Sequence, residues 1–238
     1  AGKTILITGG GSGLGLAMAK GFARSGAKIA ICGRTETKLQ KATEEIKAER
    51  DGVEVRYYIA DVRDHEIVKK MVSDIVSNFG SMEGLVNNAA GNFLSASEDL
   101  TPGGFKAIVD IVLHGSFNCT HAFGNYLIDS NKEGSILNIV TTYAERSLAF
   151  EWAEYGIRVN AIAPGPFPTK GAWSRLVPDK MIEKLFIKKI PMKRYGKHEE
   201  LANLATFLMS DLAPYITGES VVIDGGERLQ AGQFNFVN

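Results

Sequence analysis

Cysteine is scarce: only Cys32 and Cys119 occur in 238 residues. Two cysteines cannot build a disulfide framework or a multi-cysteine metal site, and they fit a reducing compartment. No apolar run reaches the roughly 18–20 residues that a membrane span needs. Neither sign of charge prevails, with 27 Lys+Arg against 27 Asp+Glu, so no net field draws the chain to nucleic acid or to an anionic membrane. The four histidines, His65, His114, His121 and His198, have no metal-ligand spacing, and no metal is expected. There is no Pro/Ser-rich linker, charge block or internal repeat, which argues for one domain spanning residues 1–238. Ala1 to Thr4 lead almost at once into an apolar strand and leave no room for a signal peptide, although a chain whose leader had been removed would read the same. The expected location is cytoplasmic, with a mitochondrial matrix left open.

What is present is the material of a soluble globular domain: 45% apolar and 23% charged residues. A chain of this size buries roughly 70% or more of its unfolded surface. Short β-branched or apolar runs at Thr4–Thr8, Lys28–Cys32, Glu54–Ala60, Gly84–Asn87, Ser135–Thr141, Arg158–Ala163 and Ser220–Asp224 predict strands. Most are nearly all apolar instead of alternating, as strands buried on both faces of a parallel sheet are. Helical patterns at Gly13–Ser25, Glu36–Arg50, Asp64–Phe79, Phe105–Asp129 and Glu199–Ser210 lie between them. The fold class is therefore α/β: a single Rossmann-type, doubly wound parallel sheet of about seven strands with helices on both faces. One crossover stands out. Only 16 residues, Thr142 to Ile157, separate the fifth and sixth strands, above the minimum of about a dozen but shorter than the other crossovers of this chain.

Thr8-Gly9-Gly10-Gly11-Ser12-Gly13-Leu14-Gly15 follows the first strand and opens the first helix. Glycines there allow a tight turn and let backbone N–H groups approach a pyrophosphate, to which the helix N-terminus adds partial positive charge. Gly9, Gly11, Ser12, Gly13, Leu14 and Gly15 are thus candidate dinucleotide-binding residues, in the strand–turn–helix context that makes the motif specific. An NAD site ordinarily carries Asp or Glu at the end of its second strand. Here that strand ends Ile31-Cys32-Gly33-Arg34, with Lys38 one helical turn on. A 2′-phosphate meets no repulsion there and finds Arg34 as a charge-assisted partner, so NADP(H) is the expected cofactor. The plainer alternative makes Arg34 and Lys38 solvated loop charges.

At these residues the chain resembles the short-chain dehydrogenase/reductase family, and later motifs agree in order and spacing. The Thr-Gly-x-x-x-Gly-x-Gly pattern falls on Thr8 to Gly15. The resemblance implies an adenine-contacting acid at Asp61, followed by Val62. Asn87-Asn88-Ala89-Ala90-Gly91 matches the Asn-Asn-Ala-Gly element, which adds Asn88, Ala89 and Ala90 to the cofactor-binding set. Pro164-Gly165 matches the turn after the sixth strand, with Thr169 implied at the nicotinamide amide. Gly218 to Gly226 looks like the last strand. Two departures matter. The active-site Asn of the family falls on Val112, which has no polar group, and Tyr-x-x-x-Lys is absent. About 20 residues of the family pattern have no counterpart between Glu145 and Arg146, at the short crossover.

Within the family the resemblance is strongest to the 2,4-dienoyl-CoA reductases. It rests on Asn92-Phe93, Asp110 to Leu113, Thr141 to Glu145, Thr169 to Ala172, Ser174 to Leu176 and Gly232 to Asn235. It implies that Asn92 and Tyr143 are the catalytic pair that hydrogen-bonds the thioester oxygen. A Ser-x-x-x-Lys would replace the usual relay and would fall where this sequence has no counterpart. Phe93 is a substrate-binding candidate, and Lys170 and Arg175, beside the lid residues Phe167, Trp173 and Leu176, are candidates for CoA phosphates. The resemblance implies NADPH-dependent reduction of a 2,4-dienoyl-CoA to a 3-enoyl-CoA in unsaturated fatty-acid degradation, by hydride transfer and dienolate stabilisation, in a homotetramer of the kind usual among relatives. Asn92 as a loop cap and Tyr143 as a packing residue are the bland alternatives, and His114 reads as an ordinary helix histidine. Two other functions stay open: a 3-oxoacyl thioester or other ketone reductase of the same family, and an NADP(H)-binding pseudoenzyme.

Overall fold

The computed structural model describes residues 2–90, 99, 101–139, 144–169 and 180–230. Seven strands form one parallel sheet in the order β3-β2-β1-β4-β5-β6-β7, as the apolar runs predict. They are β1 Thr4–Thr8, β2 Lys28–Gly33, β3 Val55–Ile59, β4 Gly84–Asn87, β5 Gly134–Ile139, β6 Ile157–Pro164 and β7 Ser220–Ile223. The helices are α1 Gly13–Arg24, α2 Glu36–Lys47, α3 His65–Phe79, α4 Pro102–Val109, α5 Gly115–Asp129, α6 Ala144–Trp152, α7 Lys180–Lys189 and α8 His198–Met209.

The continuous apolar runs are explained by burial on both faces. Along β1, Ile5 and Ile7 pack on one side with Met18 and Phe22 of α1 and Leu201 and Leu208 of α8. Leu6 points the other way, into the cluster of Val72 and Ile75 of α3, Phe123 and Leu127 of α5 and Ala149 of α6. The edge strands break the pattern: no residue of β3 or β7 is fully buried. Chain order reverses direction between β1 and β4, the place where sheets of this topology bind ligands at the strand C-termini.

Two expectations are corrected. The single helix expected over Phe105–Asp129 begins at Pro102, capped by the Thr101 hydroxyl accepting from the Gly104 N–H at 3.1 Å, and is interrupted. Asp110–His114 forms a π-turn, closed by the Gly115 N–H donating to the Asp110 carbonyl; one residue more than an α-helical turn is accommodated there. Helix α7 was not expected at all, although Met181, Ile182, Leu185 and Phe186 recur at helical spacing within Lys180–Lys189. The short crossover closes with α6, which runs through Glu145 and Arg146, then a 3₁₀ turn at Ala153–Tyr155 and Gly156 before β6.

Candidate active site

A cleft of about 440 Å³ opens over the C-terminal ends of β1, β2, β3 and β4. Its floor is the turn after β1. Thr8 is buried, and its hydroxyl accepts from the backbone N–H groups of Asn88 and Ala89, both at 2.9 Å, while donating to the Val86 carbonyl at 3.3 Å. The Asn88 side chain returns the link, its amide donating to the Thr8 carbonyl at 2.9 Å. The turn after β1 and the turn after β4 are thereby locked together across the switch point. Gly9 has φ +65, a left-handed conformation that costs only glycine little. At Gly15 a Cβ would come within 2.6 Å of both Asn88 Nδ2 and the Gly9 carbonyl oxygen. Helix α1 therefore starts hard against the turn, with its first N–H groups facing the cleft and no side-chain cap from Ser12 to occupy them.

The residues expected to bind the cofactor gather here. Gly9, Gly11, Ser12, Gly13, Leu14, Arg34, Lys38, Asp61, Val62, Asn88, Ala89, Ala90 and Thr169 all line the cleft. Gly15 lies behind the lining, in its packing role. Pro164 and Gly165 stand apart from it: a Cβ on Gly165 would sit 2.6 Å from that of Asp224, so this glycine serves the close approach of β6 and the turn after β7. Asn92, Phe93, Tyr143, Lys170 and Arg175 lie outside the described residues. Reasoning from sequence missed Cys32, Gly33, Thr35, Leu39, Ala60 and Ile111 in the lining. The strand-end position of Cys32 and Ala60 was a usable signal, whereas nothing local marks Ile111. Cys32 supplies no nucleophile, because burial pushes its thiol up to about 12.

Charge is concentrated at one end. Arg63 clamps Asp61 through Nε at 2.9 and 3.1 Å and a terminal nitrogen at 2.6 Å, and its own N–H adds a contact at 3.1 Å. These bonds hold the Asp61 carboxyl below the usual carboxylate range, with help from the Arg34 charge. The turn carrying Asp61 is held from α5: Asn118 is buried and donates its amide to the Val62 carbonyl at 3.0 Å and the Arg63 carbonyl at 3.2 Å. Neither Asn118 nor Arg63 was singled out by the sequence. Val112, the position to which the resemblance assigns the family's Asn, sits in the π-turn and is not among the residues lining the cleft.

A parallel sheet with a glycine turn at its switch point, backbone donors at a helix N-terminus, and Asp61 and Arg34 lining the same cleft is the architecture of a dinucleotide-binding protein. Residues 3–147 match the short chain dehydrogenase family, and residues 141–227 match a family described as enoyl-(acyl carrier protein) reductase. The chain belongs to the short-chain dehydrogenase family, whose members use a nicotinamide cofactor, and is an oxidoreductase of that family. It is 38% identical over 253 residues to a Bacillus subtilis (strain 168) protein named probable 2,4-dienoyl-CoA reductase, (2E)-enoyl-CoA-producing, with 98% of this chain and 99% of that one covered. That alignment is longer than the 238 residues of this chain, so the relative carries residues without a counterpart here. A Caenorhabditis elegans protein named probable 2,4-dienoyl-CoA reductase 3, (3E)-enoyl-CoA-producing, is 38% identical with 95% and 81% covered. Among solved structures, a short chain dehydrogenase from Bacillus anthracis superposes with a TM-score of 0.89 at 40% identity, covering 98% of this chain and 99% of that one.

The cleft suits the family cofactor. Helix α1 starts without a side-chain cap, which leaves backbone donors for a pyrophosphate, and β2 ends Cys32-Gly33, followed by Arg34, with no carboxylate at the strand end to oppose a 2′-phosphate. Among the described residues no helix is long and apolar enough to cross a membrane, and no cluster of His, Cys, Asp or Glu is arranged to hold a metal ion.

Proposed function

We propose that the protein reduces a 2,4-dienoyl-CoA to a 3-enoyl-CoA with NADPH. The observation that carries this reading is the 38% identity, over nearly the whole chain, to proteins named 2,4-dienoyl-CoA reductase, of which the Caenorhabditis elegans one is named for the 3-enoyl product. Val112 adds to it, because a ketone reductase of the family would want the polar Asn at that place.

Arg34 binds the 2′-phosphate, aided by Lys38, and thereby selects NADPH over NADH. The backbone N–H groups of Gly11 to Leu14 hold the pyrophosphate, Asp61 accepts from the adenine amino group, and Thr169 meets the nicotinamide amide. Bound there, the reduced nicotinamide supplies a hydride to the terminal carbon of the diene. As that C–H bond forms, the diene electrons shift toward the thioester and negative charge builds on its oxygen. Asn92 and Tyr143 donate hydrogen bonds to this oxygen, and fixed donors of this kind account for a few kcal/mol of barrier, about 3 each. A proton then adds at the alpha carbon, beside the thioester oxygen, and leaves the double bond at the 3-position. Protonation at the gamma carbon would give the 2-enoyl product instead, and the names of the two relatives divide on this point. Phe93 lies against the acyl chain, while Lys170 and Arg175 take CoA phosphates.

The assembly is a homotetramer. Phe105, Leu113 and Phe117 recur along the outward face of α4, the π-turn and α5 at 57%, 50% and 60% exposure, an apolar stripe that suits a second copy. Sedimentation velocity checks this, and a monomer at micromolar concentration refutes it.

A second reading is favoured by one observation. The family's lysine-bearing relay has no counterpart at the short crossover, so the chain would bind NADP(H) without turnover. The two readings separate in one assay, in which NADPH absorbance and diene absorbance are followed with a 2,4-dienoyl-CoA beside a 3-oxoacyl-CoA. Loss of both signals with the dienoyl substrate alone supports the proposal. Turnover of the 3-oxo substrate alone moves the function to ketone reduction and demotes Asn92 and Tyr143, and silence with both despite tight NADPH binding leaves the sensor.

A further inference from the structure

Three residues of the π-turn and α5, spaced four and three apart, meet the cleft or the turn at its edge. Ile111 lines the cleft itself. Gly115 lies so close to the turn after β3 that a Cβ would come within 2.5 Å of Val62 Cγ2. Asn118, buried, spends its amide N–H groups on the carbonyls of Val62 and Arg63. Residues at these spacings share one helical face, so a single stripe of the helix lies along the Asp61–Arg63 turn. Arg63 in turn grips Asp61 through both carboxylate oxygens. The turn itself belongs to no strand or helix, and the carbonyl of its buried residue, Val62, finds its partner in Asn118.

We propose that Asn118 is a positioning residue for adenine recognition: by holding the Val62 and Arg63 carbonyls it fixes the place from which Asp61 presents its carboxylate to the base. It rests on the dinucleotide reading of the cleft and on none of the proposed substrate chemistry. Asn118 touches neither cofactor nor substrate, so its removal acts on the base-reading contact and leaves the pyrophosphate contacts of the glycine turn in place.

The test compares NADPH with its hypoxanthine analogue, in which a 6-oxo oxygen replaces the 6-amino donor and cannot bond a carboxylate. Dissociation constants are measured for the wild type, Asn118→Leu, Asn118→Ser, Asp61→Ala and the Asp61→Ala/Asn118→Leu double variant. Leu keeps the branched outline of the side chain and removes both donors, and the smaller Ser keeps one donor should Leu prevent folding. The wild type prefers NADPH. In Asn118→Leu, NADPH affinity falls by about tenfold, the size of one lost hydrogen bond to a charged group, and the analogue changes by less than about twofold on the same reasoning. Ser gives a smaller loss in the same direction, and the double variant is no worse than Asp61→Ala alone. Equal weakening of both nucleotides, or unchanged selectivity in a folded Leu or Ser variant, overturns the inference. A wild type that binds NADPH tightly without discriminating the bases also overturns it, leaving the cofactor reading intact. A wild type that binds neither nucleotide overturns the cofactor reading and the inference with it.

Discussion

The two turns that bracket the cofactor cleft are built on opposite plans. The turn after β1 is made of backbone and glycine, fastened by the Thr8 hydroxyl and the Asn88 amide within one pair of adjacent strands. The turn after β3 is made of side chains: a carboxylate, a guanidinium and an amide that arrives from a helix 56 residues later. A backbone turn reads any pyrophosphate and has little means of telling one base from another. A side-chain turn can distinguish them, at the cost of needing an anchor to keep its groups in place. On the cofactor reading proposed above, the cleft separates affinity from selectivity, and each half can be perturbed alone.

The largest effect is expected in the backbone turn. Gly15→Ala drives a Cβ to 2.6 Å from the Gly9 carbonyl oxygen, which cannot move without disturbing the turn. Strain of about 1–3 kcal/mol corresponds to as much as about 100-fold in NADPH affinity. The hypoxanthine analogue should weaken equally, since this half does not see the base. Thr8→Val comes next. It leaves the half-buried Asn88 and Ala89 N–H groups without their acceptor, costing about 1–2 kcal/mol of stability in a denaturant titration. Arg34→Ala is smaller and sharper: NADPH should lose about tenfold in affinity while NADH is unchanged, because only the 2′-phosphate differs. A loss shared by both nucleotides would place Arg34 elsewhere than at the ribose.

The smallest effect is electrostatic. Asp61 has a lower pKa in the folded chain than in the unfolded one, chiefly through its bonds to Arg63. A depressed carboxylate stabilises the fold fully above the ordinary carboxylate range, near pH 4, and that contribution is lost as pH falls through the lower folded value. Arg63→Gln should therefore make stability less dependent on pH below about 4, with little change at neutral pH, where an exposed pair contributes little. Acid titrations of both proteins followed by circular dichroism check this. An unchanged acid limb would mean that another group holds Asp61.

The same contrast explains what could be read from the sequence. Strand positions were legible because apolar runs buried on both faces leave a continuous signature, and only the ends shift by a residue or two. The glycine turn was legible because its chemistry is local: eight consecutive residues carry strand end, turn and helix start. Asp61 was reachable only through the family resemblance, and Asn118 not at all, since an asparagine in a helix has no local mark of the carbonyls it will meet. The π-turn at Asp110–His114 was equally silent, because the helical pattern runs on through it. Helix α7 was legible in principle, since Met181, Ile182, Leu185 and Phe186 recur at helical spacing over its ten residues.

The central claim, hydride addition to the far end of a dienoyl thioester, is tested most directly by isotope placement. The protein is given a 2,4-dienoyl-CoA and NADPH deuterated at the transferred position, and the product is examined by mass spectrometry and NMR. One deuterium at carbon 5, with a solvent-derived proton at carbon 2 and the double bond at the 3-position, is the predicted outcome. Deuterium at carbon 3, or none in the product while NADPH stays bound and unoxidised, would contradict the account.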